Sequence, residues 1–208
     1  MSRSFGINDL INAKFKFVEL DEKWQKHLGK IERNCTILIK GKAKNGKTDY
    51  CMKLTKQLAS KGLHVYYNSC EEGKSATLQE AAVRNNMQDV AGKVHFGHKA
   101  NFDQFMKRMS GPGSCAVGLI DSWDYMKLSA EQFKTLRNTC KNKMLIIVCW
   151  ADGERPDDNE CKKIEHMAGV LVSVRKYKAT PVSRYGGNQV MSFIDQSLTL
   201  PTTGSLFS

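Results

Sequence analysis

The chain has 208 residues, 41% hydrophobic and 25% charged, with 32 Lys and Arg against 21 Asp and Glu for a net charge of +11. That size and apolar fraction suit one globular core of generous size and exclude a fibrous or wholly disordered chain, and no apolar run approaches the ~18 residues of a membrane span. The N-terminal residues lack a signal-peptide core, which predicts a cytoplasmic protein. The odd count of seven cysteines, without a C-x-x-C pair, predicts reduced core residues and neither disulfides nor a zinc site.

In chain order, residues 21–29, with Trp24 and Leu28, read as a short helix that packs on the sheet or on a neighbour. Residues 35–40 are apolar and β-branched, the pattern of a parallel strand buried on both faces. After a glycine-bounded loop, residues 49–61 place Cys51, Leu54 and Leu58 at helical spacing, and Gly62 supplies the stop. Residues 63–68 form a second strand, and Thr77-Leu78-Gln79-Glu80 has the form of a capping box for a helix running to about Arg84. A short strand over 93–96 precedes a helix over 101–109, with Phe102, Phe105, Met106 and Met109 on one face. Beyond the breaker Gly111-Pro112-Gly113 come a strand over 115–120, a helix over 129–140 and a strand over 144–150. The polar loop 151–160 leads to a helix over 161–167 and strands over 170–174, 178–184 and 190–194. This alternation predicts an α/β fold: a mostly parallel sheet, helices on both faces, and C-terminal antiparallel strands. The expected division is an N-terminal extension over 1–34, a core over 35–195 and a tail over 196–208.

The glycine-bounded loop carries the chemistry. Gly41-Lys42-Ala43-Lys44-Asn45-Gly46-Lys47-Thr48 has the form G-x-x-x-x-G-K-[ST], the Walker A phosphate loop, between a strand and a helix as the motif requires. Glycines at its two ends let backbone N–H groups turn inward around a phosphate, and the helix that follows aims its positive end at the same place. Residues Gly41 through Thr48, with Asp49, are therefore the candidate nucleotide-binding set. Lys47 would reach the β- and γ-phosphates and the Thr48 hydroxyl would hold Mg²⁺. Val117-Gly118-Leu119-Ile120-Asp121 is an apolar strand ending in a carboxylate, the Walker B pattern, which makes Asp121 the second candidate Mg²⁺ ligand. Many ATPases place a water-activating glutamate next; here the residue is Ser122. Cys70-Glu71-Glu72-Gly73, at the carboxyl edge of the sheet, offers two carboxylates instead. ATP and Mg²⁺ are the expected cofactors.

Charge is unevenly spread: residues 35–62 carry seven Lys against the single Asp49. A polyanionic partner fits this balance, with nucleic acid the first candidate. Single-stranded DNA contacts would fall on Lys127, Arg175, Lys176 and Lys178, beside Trp123, Tyr125 and Tyr177. Packing in a core or a subunit interface is the alternative use of those aromatics.

The phosphate loop, then Val65-Tyr66-Tyr67-Asn68-Ser69-Cys70-Glu71-Glu72, then Leu119-Ile120-Asp121-Ser122 together resemble the RecA/RadA-like ATPases, including the DnaB helicase and KaiC cores. Ile164-Glu165-His166-Met167-Ala168-Gly169-Val170-Leu171 is similar to the LEHMVDTVL stretch of RadA, and Ser183-Arg184-Tyr185-Gly186 stands where that family has KNRFG. The resemblance spans roughly residues 30–195. It implies a three-layer P-loop NTPase fold, Mg²⁺-dependent ATP hydrolysis, and a role in DNA recombination, repair or replication as a ring or filament of identical subunits. It implies that Glu71 polarises the attacking water, with Glu72 second of the pair, and that Arg184 reaches the γ-phosphate of a neighbouring subunit. The chain departs from the pattern where the family's lysine two residues before that arginine is Val182, and where the polar sensor at the end of the fourth strand is Trp150, so that γ-phosphate sensing falls to a neighbour such as Asp152 or is weaker. No counterpart of RadA's zinc module, of its protease-like domain or of RecA's long DNA-binding loops is expected. A KaiC-like or signalling ATPase acting on a protein partner, and a nucleotide-binding module of low turnover, remain alternatives.

Overall fold

Strands that are apolar on both faces need helices on both sides, and that is how this chain folds. The computed structural model describes residues 4–193. The strands are β1 (Thr36–Gly41), β2 (Val65–Ser69), β3 (Val94–His98), β4 (Val117–Asp121), β5 (Met144–Trp150), β6 (Val170–Arg175), β7 (Lys178–Ser183) and β8 (Met191–Ser192). They form one sheet in the order β3-β2-β4-β5-β1-β6-β7-β8. β1 to β6 run parallel, while β7 is antiparallel to β6 and β8 to β7. The helices are α1 (Ile7–Ile11), α2 (Glu22–Leu28), α3 (Lys47–Ser60), α4 (Ala76–Arg84), α5 (Phe102–Ser110), α6 (Trp123–Met126), α7 (Ala130–Thr139) and α8 (Asn159–Glu165), with a 3-10 turn over Met87–Val90.

The period-two alternation of side chains divides the core into two layers. Ile37, Ile39, Ile146 and Val148 face a layer closed by Trp24 and Leu28 of α2 and by Cys51, Leu54 and Leu58 of α3. Leu38, Leu145, Ile147 and Cys149 face the other, closed by Phe105 of α5, Phe133 and Leu136 of α7, and Ile164 of α8. Gly118 lies under α5, where a Cβ would come within 2.9 Å of Met109 and Phe105. The α2 helix packs within its own protomer: buried His27 shares a 2.9 Å hydrogen bond with the Tyr50 hydroxyl of α3. The seven cysteines are free and buried.

Several boundaries differ from expectation. The Thr77–Glu80 pattern does not cap α4. Ser75 is the N-cap, its hydroxyl accepting from the Leu78 N–H at 3.1 Å, and Thr77 turns back to Glu72. The short segment after β4 forms α6, one turn too short to show periodicity in sequence. α1 and the 3-10 turn escape for the same reason. The β7 strand stops at Ser183, one residue before Arg184, and β8 is only Met191–Ser192. Ile194, the expected end of the core at 195, the tail 196–208 and the first three residues lie outside the described residues.

Candidate functional site

β1 runs into the phosphate loop and α3 leaves it. Lys47, Thr48 and Asp49 form the first turn of α3, so their backbone N–H groups lack partners within the helix and face the loop. Two glycines are dictated by geometry. Gly46 sits in the left-handed region at φ 92°, with the Tyr177 ring 2.5 Å from where a Cβ would stand, and a Cβ on Gly41 would lie 2.2 Å from the Val174 carbonyl oxygen. The loop is clamped by the tight turn joining β6 to β7. Lys176 and Tyr177 both have positive φ there, the backbone of a two-residue hairpin. The Lys176 N–H donates to Asn45 Oδ1 at 2.8 Å and the Tyr177 N–H to the Asn45 carbonyl at 3.0 Å.

A cleft of about 530 Å³ opens over this loop. Its walls include Lys47, Thr48, Glu71, Asp121, Ser122 and Trp150. Lys47 donates to the carbonyls of Gly41 and Lys42 at 2.7 and 2.9 Å. Burial pushes its ammonium below the usual lysine range, and the charge of Asp121 opposes that push. Asp121 ends β4, two strands from β1 with β5 between, on the order of 10 Å away at normal strand spacing. Its carboxylate accepts the Tyr67 hydroxyl at 2.5 Å. Burial raises the Asp121 carboxyl to about 6; the Tyr67 hydrogen bond and Lys47 hold it down, while Glu71 and Glu72 push it further up. The Ser122 hydroxyl is buried at the same cleft, and among the described residues it makes no well-formed hydrogen bond.

A carboxylate held at such cost, a threonine hydroxyl and a buried serine hydroxyl line one cleft, and their all-oxygen chemistry suits a hard cation. Thr48 and Asp121 are the residues that could hold Mg²⁺ there, and their oxygen ligands are of the kind that ion takes. The two glutamates divide. Glu72 accepts from Thr77 at 2.6 Å and Ser75 at 3.1 Å, fastening the start of α4, whereas Glu71 accepts from the Tyr125 hydroxyl at 3.0 Å. The Asp49 side chain is turned to α4, bound by Arg84 Nε at 3.0 Å and Asn85 Nδ2 at 2.8 Å, so only its backbone N–H is left for a phosphate.

Asp152 lies outside the walls of the cleft over the phosphate loop. It pairs with Lys42 and lines a neighbouring cleft of about 550 Å³ with Lys40, Arg175 and Lys176. Arg184 is exposed at the amino edge of the sheet, because Ser183 pairs with Val170, the first residue of β6. Its guanidinium donates to the His166 carbonyl at 3.3 Å, far from its own phosphate loop at the carboxyl edge. Arg175, Lys176 and Lys178 cluster at the carboxyl edge around the hairpin. Sequence reasoning missed Tyr67 and the free hydroxyl of Ser122. Tyr67 reads as a core aromatic, and only the β2–β4 pairing, with Ser69 opposite Asp121, places its ring beside the Asp121 carboxylate.

Sheet order, phosphate loop and carboxylate strand define the fold of the RecA-type P-loop ATPases. Solved structures agree. The chain is similar to the flagellar accessory protein FlaH from Methanocaldococcus jannaschii at 18% identity and a TM-score of 0.59, over 85% of this chain and 92% of that one. It is similar to a second solved structure, an ATPase domain, at 13% identity and a TM-score of 0.61, over 90% of this chain and 92% of that one. At these identities the shared property is the fold. No family model matches the chain, and no curated protein matches it. Among the described residues no helix is long and apolar enough to cross a membrane.

Proposed function

We propose that the cleft over the phosphate loop binds Mg·ATP and hydrolyses it. The observation that carries this reading is the convergence of Lys47, Thr48, Asp121 and Glu71 on one cavity from three separate segments. The backbone N–H groups of residues 41–49 cradle the phosphates, and Lys47 exchanges its loop carbonyls for phosphate oxygens. Thr48 and Asp121 would hold Mg²⁺, which when bound would supply positive charge to offset that of the phosphates. Glu71 orients and polarises the attacking water. Arg184 cannot serve its own site from the opposite edge of the sheet. Its role is toward the phosphate of a second copy, and the active form is a ring or filament.

The biological task that fits best is DNA recombination, repair or replication. The basic hairpin residues Arg175, Lys176 and Lys178 support it, since their turn is bonded to Asn45 of the phosphate loop and a strand bound there would reach the nucleotide site directly. A protein-directed ATPase is the second reading, favoured by the likeness to FlaH, a flagellar accessory protein. The test is phosphate release per subunit across protein concentration, with and without single-stranded DNA, at two salt concentrations. A rate that rises with concentration and with DNA, the latter lost in high salt, supports the DNA-directed oligomer. A DNA-indifferent rate leaves the protein-directed reading.

A further inference from the structure

A carboxylate that aims a water at phosphorus has to be held, because a side chain free to rotate spends little time on the line of attack. Glu71 stands on an exposed turn after β2. Among the described residues its side chain has one hydrogen-bond partner, the Tyr125 hydroxyl at 3.0 Å. Tyr125 is 45% exposed, but the α6 turn that carries it is anchored on both sides. The preceding Trp123 is buried against Phe133, and its indole N–H donates to Asp158 at 3.2 Å. Asp124 accepts the Trp150 backbone N–H at 2.9 Å, tying α6 to the tip of β5. The Trp150 ring then meets the Tyr125 ring edge to face, with centroids 5.6 Å apart and planes at 83°. Three loops, following β2, β4 and β5, are thereby joined at the cleft mouth through one phenol. α6 begins two residues after Asp121, so the metal carboxylate and the residue holding Glu71 share one short segment.

We infer that Tyr125 is a positioning residue for Glu71, aimed by the Trp150 ring that stands where the resembled family has a polar sensor. The inference rests on the hydrolysis reading above. The hydroxyl donates to Glu71 Oε1 and leaves Oε2 without a hydrogen bond among the described residues, available to a water. Trp150, which lines the cleft and is 38% exposed, buttresses the phenol.

The experiment measures single-turnover hydrolysis of Mg·ATP with protein in excess for the natural chain, Tyr125→Phe, Glu71→Gln and the double variant, with ATP affinity followed by tryptophan emission. Phenylalanine keeps the ring and removes only the donor. The expected result is a rate about threefold to tenfold lower for Tyr125→Phe, the scale of one partly exposed hydrogen bond, with ATP affinity within about twofold of the natural chain. In the Glu71→Gln background the same change should cost nothing further, which a general loss of structure would not reproduce. An undiminished rate for Tyr125→Phe beside a crippled Glu71→Gln overturns this inference alone, as does an equal loss in both backgrounds. Equal rates for the natural chain and Glu71→Gln overturn the hydrolysis reading and this inference with it.

Discussion

Asp121→Asn should make the ligand-free protein more stable at neutral pH while destroying its response to Mg·ATP. The folded chain raises the Asp121 carboxyl from an ordinary 3.8 to about 6, so the native state binds that proton more tightly than the unfolded chain. Stability from this group therefore falls as pH rises from about 4 to 6, and the full cost is present above 6. At about 1.4 kcal/mol per tenfold, the ionised carboxylate costs about 3 kcal/mol at pH 7.5. Asp121 is only partly buried, at the cleft wall, and solvent screening there lowers that to about 2 kcal/mol. Asparagine removes the charge and keeps an oxygen for the Tyr67 hydroxyl. For a domain of this size the gain is about 4–8 °C in Tm. Differential scanning calorimetry at pH 7.5 and 4.5, without nucleotide, is the assay. The gain should shrink to less than half at pH 4.5, where the native carboxyl is already protonated. A variant that melts lower than the natural chain at pH 7.5, or gains equally at both pH values, would refute the reasoning.

Other perturbations separate binding, assembly and folding. Lys47→Ala should abolish stabilisation by Mg·ATP, which in the natural chain amounts to about 2.7 kcal/mol at a hundredfold excess over Kd, read as a Tm shift. Arg184→Ala should leave nucleotide affinity intact and lose concentration-dependent turnover. Mixing it with Lys47→Ala should restore activity, because a mixed interface pairs an intact loop with an intact arginine; no recovery on mixing would count against action between subunits. Glu165→Gln should destabilise the fold by about 1–3 kcal/mol in urea unfolding, since Lys40 and Glu165 are each only 9% exposed and 2.5 Å apart, and Lys40 would keep only neutral acceptors, the new amide and the Glu154 carbonyl. Glu72→Gln should loosen the start of α4 by about 1 kcal/mol, the scale of a hydrogen bond to a charged group at the surface, yet cost far less turnover than Glu71→Gln, as measured by phosphate release.

The phosphate loop and the Asp121 strand were legible in the sequence because each is a contiguous run whose residue types are forced by chemistry. Glycines stand where the backbone must pass under Tyr177 and Val174, and a carboxylate ends a buried strand. The α/β architecture was legible for a similar reason: the strands are apolar throughout and the longer helices show one-sided periodicity. Contacts made by folding were hidden. Tyr125 and Glu71 are 54 residues apart, and Asn45 and Lys176 are 131 apart, with no local pattern to announce either bond. The division of labour between Glu71 and Glu72 was equally hidden. It depends on which carboxylate the Ser75 and Thr77 hydroxyls capture, and a sequence shows two identical neighbours. The misplaced α4 cap follows from the same crowding, because Ser75 and Thr77 both suit the position and only the turn geometry selects Ser75.

The central claim is that the cleft turns over Mg·ATP, and phosphate release by the natural chain beside Lys47→Ala and Glu71→Gln, with Mg²⁺ and with chelator, tests it most directly. The account predicts Mg²⁺-dependent release from the natural chain, none from Lys47→Ala, and a rate at least about a hundredfold lower from Glu71→Gln with ATP still bound. Release that survives chelation or the loss of Lys47 would contradict it.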